Sequence, residues 1–155
     1  MTRLSCEVPF GWEHVREVRT RLADSLADQP AELRDAAVMV ASELVENAIK
    51  YGNSLPNAPN ATLELLVDDK RLQIVVRNGV SSAEHASEVE KLLQRIASAQ
   101  EPSELYMERM ERLLNDADAK GKLGFHRIGL EAGFVLTSSF EDGVLTITAT
   151  RRISS

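Results

Sequence analysis

"SELVENAIKYG", residues 42–52, is the stretch that decides the fold of this chain. It closes a segment, residues 30–51, in which apolar residues recur every three or four positions, and this spacing predicts a long amphipathic helix that ends at Gly52. Glu43 and Asn47 lie one turn apart at the margin of the apolar arc. An acid and an amide at the edge of a buried helix face indicate a candidate site.

The pair formed by Glu43 and Asn47 has two interpretations. An amide oxygen is a hard ligand that suits Mg²⁺, and a carboxylate one turn away can accept a proton from a hydroxyl, which together serve phosphoryl transfer from a nucleotide. Lys50 lies beside Glu43 on the same helix and adds a positive charge. In the alternative, Glu43 is a solvated helix residue and Asn47 is a partly buried amide. The spacing alone leaves both interpretations open.

The segment before this helix predicts a strand and a second helix. Residues 3–10 alternate apolar and polar side chains as a strand does, and Cys6 is expected to be a small buried residue in it. Residues 11–29 follow helical spacing. The inner stripe of that helix is predicted to contain Trp12, Val15, Val18, Leu22 and Leu26.

The segment after the long helix predicts two hairpins with helices between them. The first hairpin joins residues 61–69 to residues 71–79, and the last joins residues 134–140 to residues 144–151. Between them, residues 81–119 contain two apolar stripes split at Pro102, with Ser82 and Ser103 as helix caps. Because the strands come as neighbouring hairpins, we expect an α+β fold, with a mainly antiparallel or mixed sheet covered by helices on one face, in a single domain over residues 1–155.

Composition limits the classes of function. The chain has 155 residues, 43% of them hydrophobic and 27% charged, and its net charge is −6 with a pI of about 5.1. General nucleic-acid binding is not expected, because there is no surplus of basic residues to neutralise phosphates. A single cysteine excludes an internal disulfide. No apolar run approaches the roughly 20 residues of a membrane span, so no membrane partner is expected and the cytoplasm is the expected location.

"ELVENAIKYG" resembles the N-box of the GHKL ATPases, the superfamily that contains gyrase, MutL and the histidine kinases. Asn47-Ala48 and Lys50-Tyr51 look closest to the sensor-kinase form of the box, whereas Glu43 is similar to the hydrolytic members and to the small anti-sigma-factor serine kinases. The resemblance implies a Bergerat ATP-binding fold that uses ATP and Mg²⁺. It also implies that Glu43 is the catalytic base and that Asn47 binds the metal, with Lys50 near the nucleotide.

The adenine box of the superfamily is altered in this chain. Where D-x-G-x-G is usual, the sequence reads "VVRNGVSS", so Asn78 replaces the Asp that accepts a hydrogen bond from adenine, and Gly79 follows it. An Asn side chain can still accept through its oxygen, although as a neutral acceptor it binds more weakly than a carboxylate. In the alternative, Asn78 and Gly79 are a turn that ends a strand.

The last conserved box of the GHKL superfamily is only partly matched in this chain. The superfamily uses G-x-G-L-G-L at a helix start, and the matching segment is "KGKLGFHRIGLEAGF", in which Gly121 and Gly124 would offer backbone amides to phosphate. In the alternative this segment is a loop that enters a short helix. The lid between the boxes departs further, since residues 81–118 predict helices where the superfamily has a flexible glycine-rich loop.

This combination is similar to the small anti-sigma-factor serine kinases and the SiaB-like protein kinases. The resemblance implies a serine/threonine protein kinase, or an anti-sigma-factor-like regulator, that acts on a small antagonist-type (STAS-like) partner protein in signal transduction. The resemblance is also compatible with a homodimer. The alternative is a degenerate, non-catalytic module on the same fold that binds a partner with weak or no nucleotide binding. Glu43 favours the kinase, and the altered adenine box and lid favour the module.

Overall fold

The computed structural model describes residues 2–80, 82–97 and 132–153. In these ranges the chain forms five strands and three helices. No helix within the same ranges combines the length and the apolar character needed to cross a bilayer. The order is β1 (Thr2–Val8), α1 (Glu13–Ser25), α2 (Ala31–Tyr51), β2 (Ala61–Val67), β3 (Arg71–Gly79), α3 (Ala83–Ala97), β4 (Val135–Glu141) and β5 (Val144–Arg152).

The five strands form one antiparallel sheet in the order β1-β2-β3-β5-β4. One row of paired residues crosses the sheet and is apolar along its whole length, from Leu4 through Leu65, Ile74 and Ala149 to Leu136. The helices pack on this face, with α1 on β1, α2 on β2 and β3, and α3 on β4. The fold is therefore the two-layer α/β sandwich expected from the sequence.

The opposite face of the sheet is polar. Its rows include Gln73, whose side chain donates a hydrogen bond to Oγ1 of Thr150 at 3.3 Å, and Arg77, whose guanidinium lies 3.6 Å from the carboxylate of Glu64. Most of its side chains are half-buried or exposed, although Val75 is 7% exposed. An antiparallel sheet tolerates such exposure because its residues alternate between a buried and a solvated side.

Local hydrogen bonds fix the turn between β2 and β3. One oxygen of the Asp68 carboxylate accepts the backbone N–H groups of Lys70, at 2.8 Å, and Arg71, at 3.0 Å. These two bonds stabilise the ionised form and hold the pKa of the Asp68 carboxyl below its usual value. The turn therefore forms at residues 68–70, where the sequence predicts it.

The predicted cap and the predicted buried cysteine are both present. Oγ of Ser82 accepts the backbone N–H of Glu84 at 3.1 Å, just ahead of α3. Cys6 is buried in β1, and burial raises the pKa of its thiol. The predicted cap at Ser103 lies outside the described residues.

The prediction for α1 was wrong at one position. Val15, Val18, Leu22 and Leu26 are buried as expected, but the side chain of Trp12 is 58% exposed. The helix begins at Glu13, one residue after Trp12. Helical spacing assigns residues to the inner face only inside the helix, so it does not place a residue that precedes the first turn.

Substitutions at Leu65 and Leu66 test which face of the sheet is covered. Leu65 is fully buried beneath the helices, whereas its neighbour Leu66 is half-buried on the polar face. We expect Leu65→Ala to lower the free energy of unfolding by about 2–5 kcal/mol, through lost burial and a cavity, and Leu66→Ala to lower it by less than half as much. Urea denaturation of both variants measures the difference. Equal losses would contradict the assignment of the faces.

Candidate functional site

Asn47 is buried in the helix that carries the candidate pair. Its side chain is 8% exposed and follows the buried positions Val40 and Leu44 along α2. Nδ2 donates a hydrogen bond to the backbone carbonyl of Glu43 at 2.9 Å. Oδ1 is buried, and no donor in the described residues reaches it. Leaving a buried acceptor unsatisfied costs about 1–3 kcal/mol, so this oxygen is a candidate ligand atom.

Glu43 lies at a more accessible position than Asn47. It is half-buried and lines an open cavity of about 490 Å³ between α1 and α2. Arg19 and Arg34 also line this cavity, but Asn47 does not. The carboxylate of Glu43 therefore reaches a space that a second molecule can enter, while the amide of Asn47 is enclosed beside it.

The C-terminal end of α2 is joined to the start of α3 through aromatic rings. The rings of Tyr51 and His85 stack with their centroids 4.8 Å apart and an angle of 28° between their planes. Nζ of Lys50 lies 5.0 Å from the centroid of the Tyr51 ring, within the range of a cation–π interaction. Lys50 is exposed, so its ammonium group is accessible to a ligand at this end of the helix.

Asn78 and Gly79 belong to β3 and do not form a turn. Asn78 pairs with Leu145 and Gly79 pairs with Val144 in the ladder between β3 and β5. The alternative that these residues are a turn ending the strand was therefore wrong. An Asn-Gly pair favours a turn, but here both residues stay in the strand because β5 begins directly opposite Gly79 and pairs with the end of β3.

The amide of Asn78 contributes to the packing where β3 ends. Its side chain is 4% exposed, and Nδ2 donates a hydrogen bond to the carbonyl of Gly79 at 3.1 Å. The same carbonyl accepts the backbone N–H of Asn53 at 2.7 Å. An Asp side chain at position 78 could not donate a hydrogen bond to the Gly79 carbonyl, because an ionised carboxylate is only an acceptor. This contact supplies a structural reason for an Asn at position 78.

Two glycines allow the loop after α2 to lie on the end of β3. A Cβ atom at Gly52 would be 2.6 Å from the ring of Phe10 and 2.9 Å from Nδ2 of Asn78. A Cβ atom at Gly79 would be 2.5 Å from the carbonyl of Asn53. None of these three distances is compatible with a side chain, so the end of α2 and the end of β3 meet only because both positions are glycine.

The structure brings together five of the seven candidate residues in two groups. Glu43, Asn47 and Lys50 lie on successive turns of α2, and Asn78 and Gly79 lie at the end of β3, which contacts the end of α2 at Gly52. The other two, Gly121 and Gly124, lie outside the described residues. Within the described ranges there is no cluster of three or more His, Cys, Asp or Glu side chains that could hold a metal ion.

Sequence reasoning did not identify Gly52 and the Tyr51–His85 stack as parts of this site. The sequence marks Gly52 only as the end of α2, and it gives no indication that His85 contacts this helix. The stack joins residues 34 positions apart, and a single sequence has no local signal for such a contact.

Comparison with known proteins gives a likeness at the level of the fold. No protein-family model matches the chain, and no curated protein matches it in sequence. A chain in the crystal structure of the SiaB–SiaC complex from Pseudomonas aeruginosa superimposes with a TM-score of 0.68 at 16% sequence identity. The superposition covers 97% of this chain and 89% of that chain. The likeness therefore extends over nearly the whole chain and establishes a shared fold.

Asn47→Leu tests whether Oδ1 of Asn47 is unsatisfied. The exchange removes a buried acceptor and keeps a similar side-chain volume, so we expect the free energy of unfolding without nucleotide to rise by about 1 kcal/mol. Urea denaturation measures it, and Gln94→Leu, an amide-to-leucine exchange at an exposed position of α3, is the control. A loss of more than about 1 kcal/mol in Asn47→Leu would mean that the amide has a structural partner.

Proposed function

We propose that this chain is an ATP-dependent serine/threonine protein kinase that regulates a small partner protein. The observation that carries the proposal is the buried, unsatisfied Oδ1 of Asn47 one helical turn from the half-buried carboxylate of Glu43. A structural amide in an apolar environment would have both of its polar ends paired, as buried polar groups generally do. A buried oxygen that accepts no hydrogen bond can instead bind a cation.

Magnesium fits the oxygen of Asn47 on chemical grounds. Mg²⁺ prefers oxygen ligands, keeps several waters and is usually bound by few protein groups together with nucleotide phosphates. Asn47 would then bind the metal, and Mg²⁺ would neutralise charge on the transferring phosphoryl group.

Glu43 fits the role of the general base. Its carboxylate lines a cavity that a partner can enter, and it would accept the proton of a serine or threonine hydroxyl. The hydroxyl oxygen forms a bond to the γ-phosphorus while the bond from that phosphorus to the β–γ bridging oxygen breaks. The products are a phosphorylated partner and ADP, and the proton remains on Glu43 until it passes to solvent.

The remaining candidate residues would hold the nucleotide. Oδ1 of Asn78 would accept from the adenine amino group, next to Gly79, while its Nδ2 stays bonded to the Gly79 carbonyl. Lys50 would place its ammonium group near the phosphates. Gly121 and Gly124 would provide backbone amides to the phosphates, as the resemblance to the last GHKL box implies.

The proposed partner is a small regulatory protein. The chain with the similar fold belongs to the crystal structure of the SiaB–SiaC complex, which is a complex of two proteins. By analogy with that assembly and with the anti-sigma-factor kinases, we propose a small STAS-like antagonist domain as the target.

The second candidate function is a non-catalytic, partner-binding module. The contact that favours it is the hydrogen bond from Asn78 to Gly79, because an amide used to hold the loop after α2 has one function without any nucleotide. On this alternative the chain would bind its partner equally well with and without Mg-ATP. The two candidates therefore differ in nucleotide dependence.

Binding of Mg-ATP should raise the thermal stability of the protein. A ligand at about 100 times its dissociation constant adds about 2.7 kcal/mol to the free energy of unfolding, which corresponds to a melting temperature several degrees higher. Differential scanning fluorimetry with ATP, with and without Mg²⁺, measures the shift. The part that depends on Mg²⁺ should be absent in Asn47→Leu. A wild-type protein with no shift at millimolar Mg-ATP would refute the kinase and leave the module.

Glu43→Gln should abolish phosphoryl transfer while the protein still binds Mg-ATP. Removing a general base lowers the rate of transfer by a factor of about 10²–10⁴, whereas nucleotide binding does not depend on this carboxylate. Transfer is measured with γ-labelled ATP and a STAS-like partner domain. Glu88→Gln, the same exchange at an exposed position of α3, is the control and should keep full activity. Undiminished transfer in Glu43→Gln would remove the catalytic assignment.

A further inference from the structure

The outer side of α1 contains a groove that the proposed phosphoryl transfer does not use. Its volume is about 550 Å³. The exposed indole of Trp12 stands at one end, and the exposed side chains of two arginines follow it along the helix at spacings of four and three residues. We call this the outer groove of α1; it is lined by Trp12, Val15, Arg16, Arg19, Thr20 and Ala23.

The charge of the outer groove is opposite to that of the whole chain. The protein has a net charge of −6, yet none of the described side chains that line the groove is acidic, and two of the six are arginine. Trp12 is the single tryptophan of the chain and is 58% exposed. Tryptophan and arginine are the residues most enriched at the energetic centres of protein interfaces. The groove therefore has the composition of a binding surface for an acidic ligand.

The outer groove leads toward the candidate catalytic carboxylate. Arg19 and Ala23 line both this groove and the cavity between α1 and α2. Glu43 lines that second cavity, together with the half-buried apolar side chains of Val38 and Met39. The two spaces form one continuous surface with Trp12 at one end and Glu43 at the other. A bound segment would meet the basic side chains of α1 on one side. Along α2 it would meet the apolar side chains of Val38 and Met39 and the acidic side chains of Asp35, Glu43 and Glu46, so its own acidic residues would lie against α1.

We propose that the outer groove of α1 docks an acidic segment of the partner protein and directs its acceptor hydroxyl toward Glu43. The occupant is an acidic peptide segment with at least one apolar side chain, because the walls are basic and the floor contains Trp12, Val15 and Ala23. The direction toward Glu43 rests on the proposed kinase function, whereas the docking itself needs no nucleotide. The docking thus adds a specificity determinant that lies outside the nucleotide site.

Peptide selection tests the proposal on the 155-residue chain without nucleotide. The probe is a phage-displayed library of random peptides, from which binders are synthesised without tryptophan and labelled with fluorescein. Anisotropy then gives their affinity for the wild type and for two variants. One is the double variant Arg16→Ala/Arg19→Ala, and the other is the control Arg21→Ala, which removes an exposed arginine of the same helix that does not line the groove. Circular dichroism checks that both variants are folded.

We expect the selected peptides to be acidic and to bind through the two arginines. Their affinity should fall about tenfold in Arg16→Ala/Arg19→Ala and by less than about twofold in Arg21→Ala, since each exposed charge pair contributes modestly. It should also fall in high salt. Because Trp12 is the only tryptophan, a shift of the intrinsic emission to shorter wavelength on binding would report directly that its indole becomes buried.

Four results would overturn the proposal, and the first three concern the peptides. The selected peptides could lack a net negative charge, the two variants could lose affinity equally, or no peptide could bind in a manner that depends on Arg16 and Arg19. Sedimentation that shows self-association of the wild type and a monomer for Trp12→Ala would also overturn it, because a second copy of the chain would then occupy the groove. The Mg-ATP shift in melting temperature, measured on Arg16→Ala/Arg19→Ala, should equal that of the wild type, so failure of docking is distinguishable from failure of nucleotide binding.

Discussion

The close approach of the end of α2 to the end of β3 is the constraint on which the candidate site depends. Side chains are excluded at Gly52 and Gly79 by Phe10, Asn78 and the loop after α2, and the carbonyl of Gly79 accepts hydrogen bonds from that loop and from Asn78. Contacts at this distance hold the end of the helix in one place on the sheet. The turn of α2 that carries Asn47 lies about 7 Å before this point along the helix axis, so its position is fixed by the same contacts.

The parts of the fold that follow a local period were predictable from the sequence. The sequence predicts a helix over residues 30–51, and the structure has this helix at Ala31–Tyr51. The sequence also predicts a strand over residues 71–79, and the strand has the same bounds in the structure. Apolar side chains recur in these segments at the spacing of the element they form, and glycine or an Asp-rich turn ends them. Local pattern and tertiary packing agree there, so each element could be recognised without its neighbours.

Features that depend on contacts between distant residues were not predictable. Trp12 satisfies the helical spacing but precedes the helix, and Asn78 belongs to a strand only because β5 pairs with it. For the site, the sequence predicts that Glu43 and Asn47 share one side of α2, but it does not predict that Glu43 lines a cavity while Asn47 is enclosed with an unsatisfied oxygen. Those properties come from how α1 and the sheet cover α2. The functional roles of these residues remain predictions.

The different environments of Glu43 and Asn47 fit a division of tasks between two surfaces of α2. A phosphotransfer base must meet the hydroxyl of a second protein, and Glu43 lies at the end of the surface that begins at Trp12 and continues through Arg19. A ligand of Mg²⁺ needs an oxygen that accepts no other hydrogen bond rather than wide exposure, since the metal keeps several waters of its own, and the enclosed Oδ1 of Asn47 has no donor among the described residues. A module that only bound a partner would gain nothing from an unsatisfied buried oxygen, which costs about 1–3 kcal/mol. The buried Oδ1 of Asn47 beside the accessible carboxylate of Glu43 is therefore the feature on which the proposed phosphoryl transfer rests.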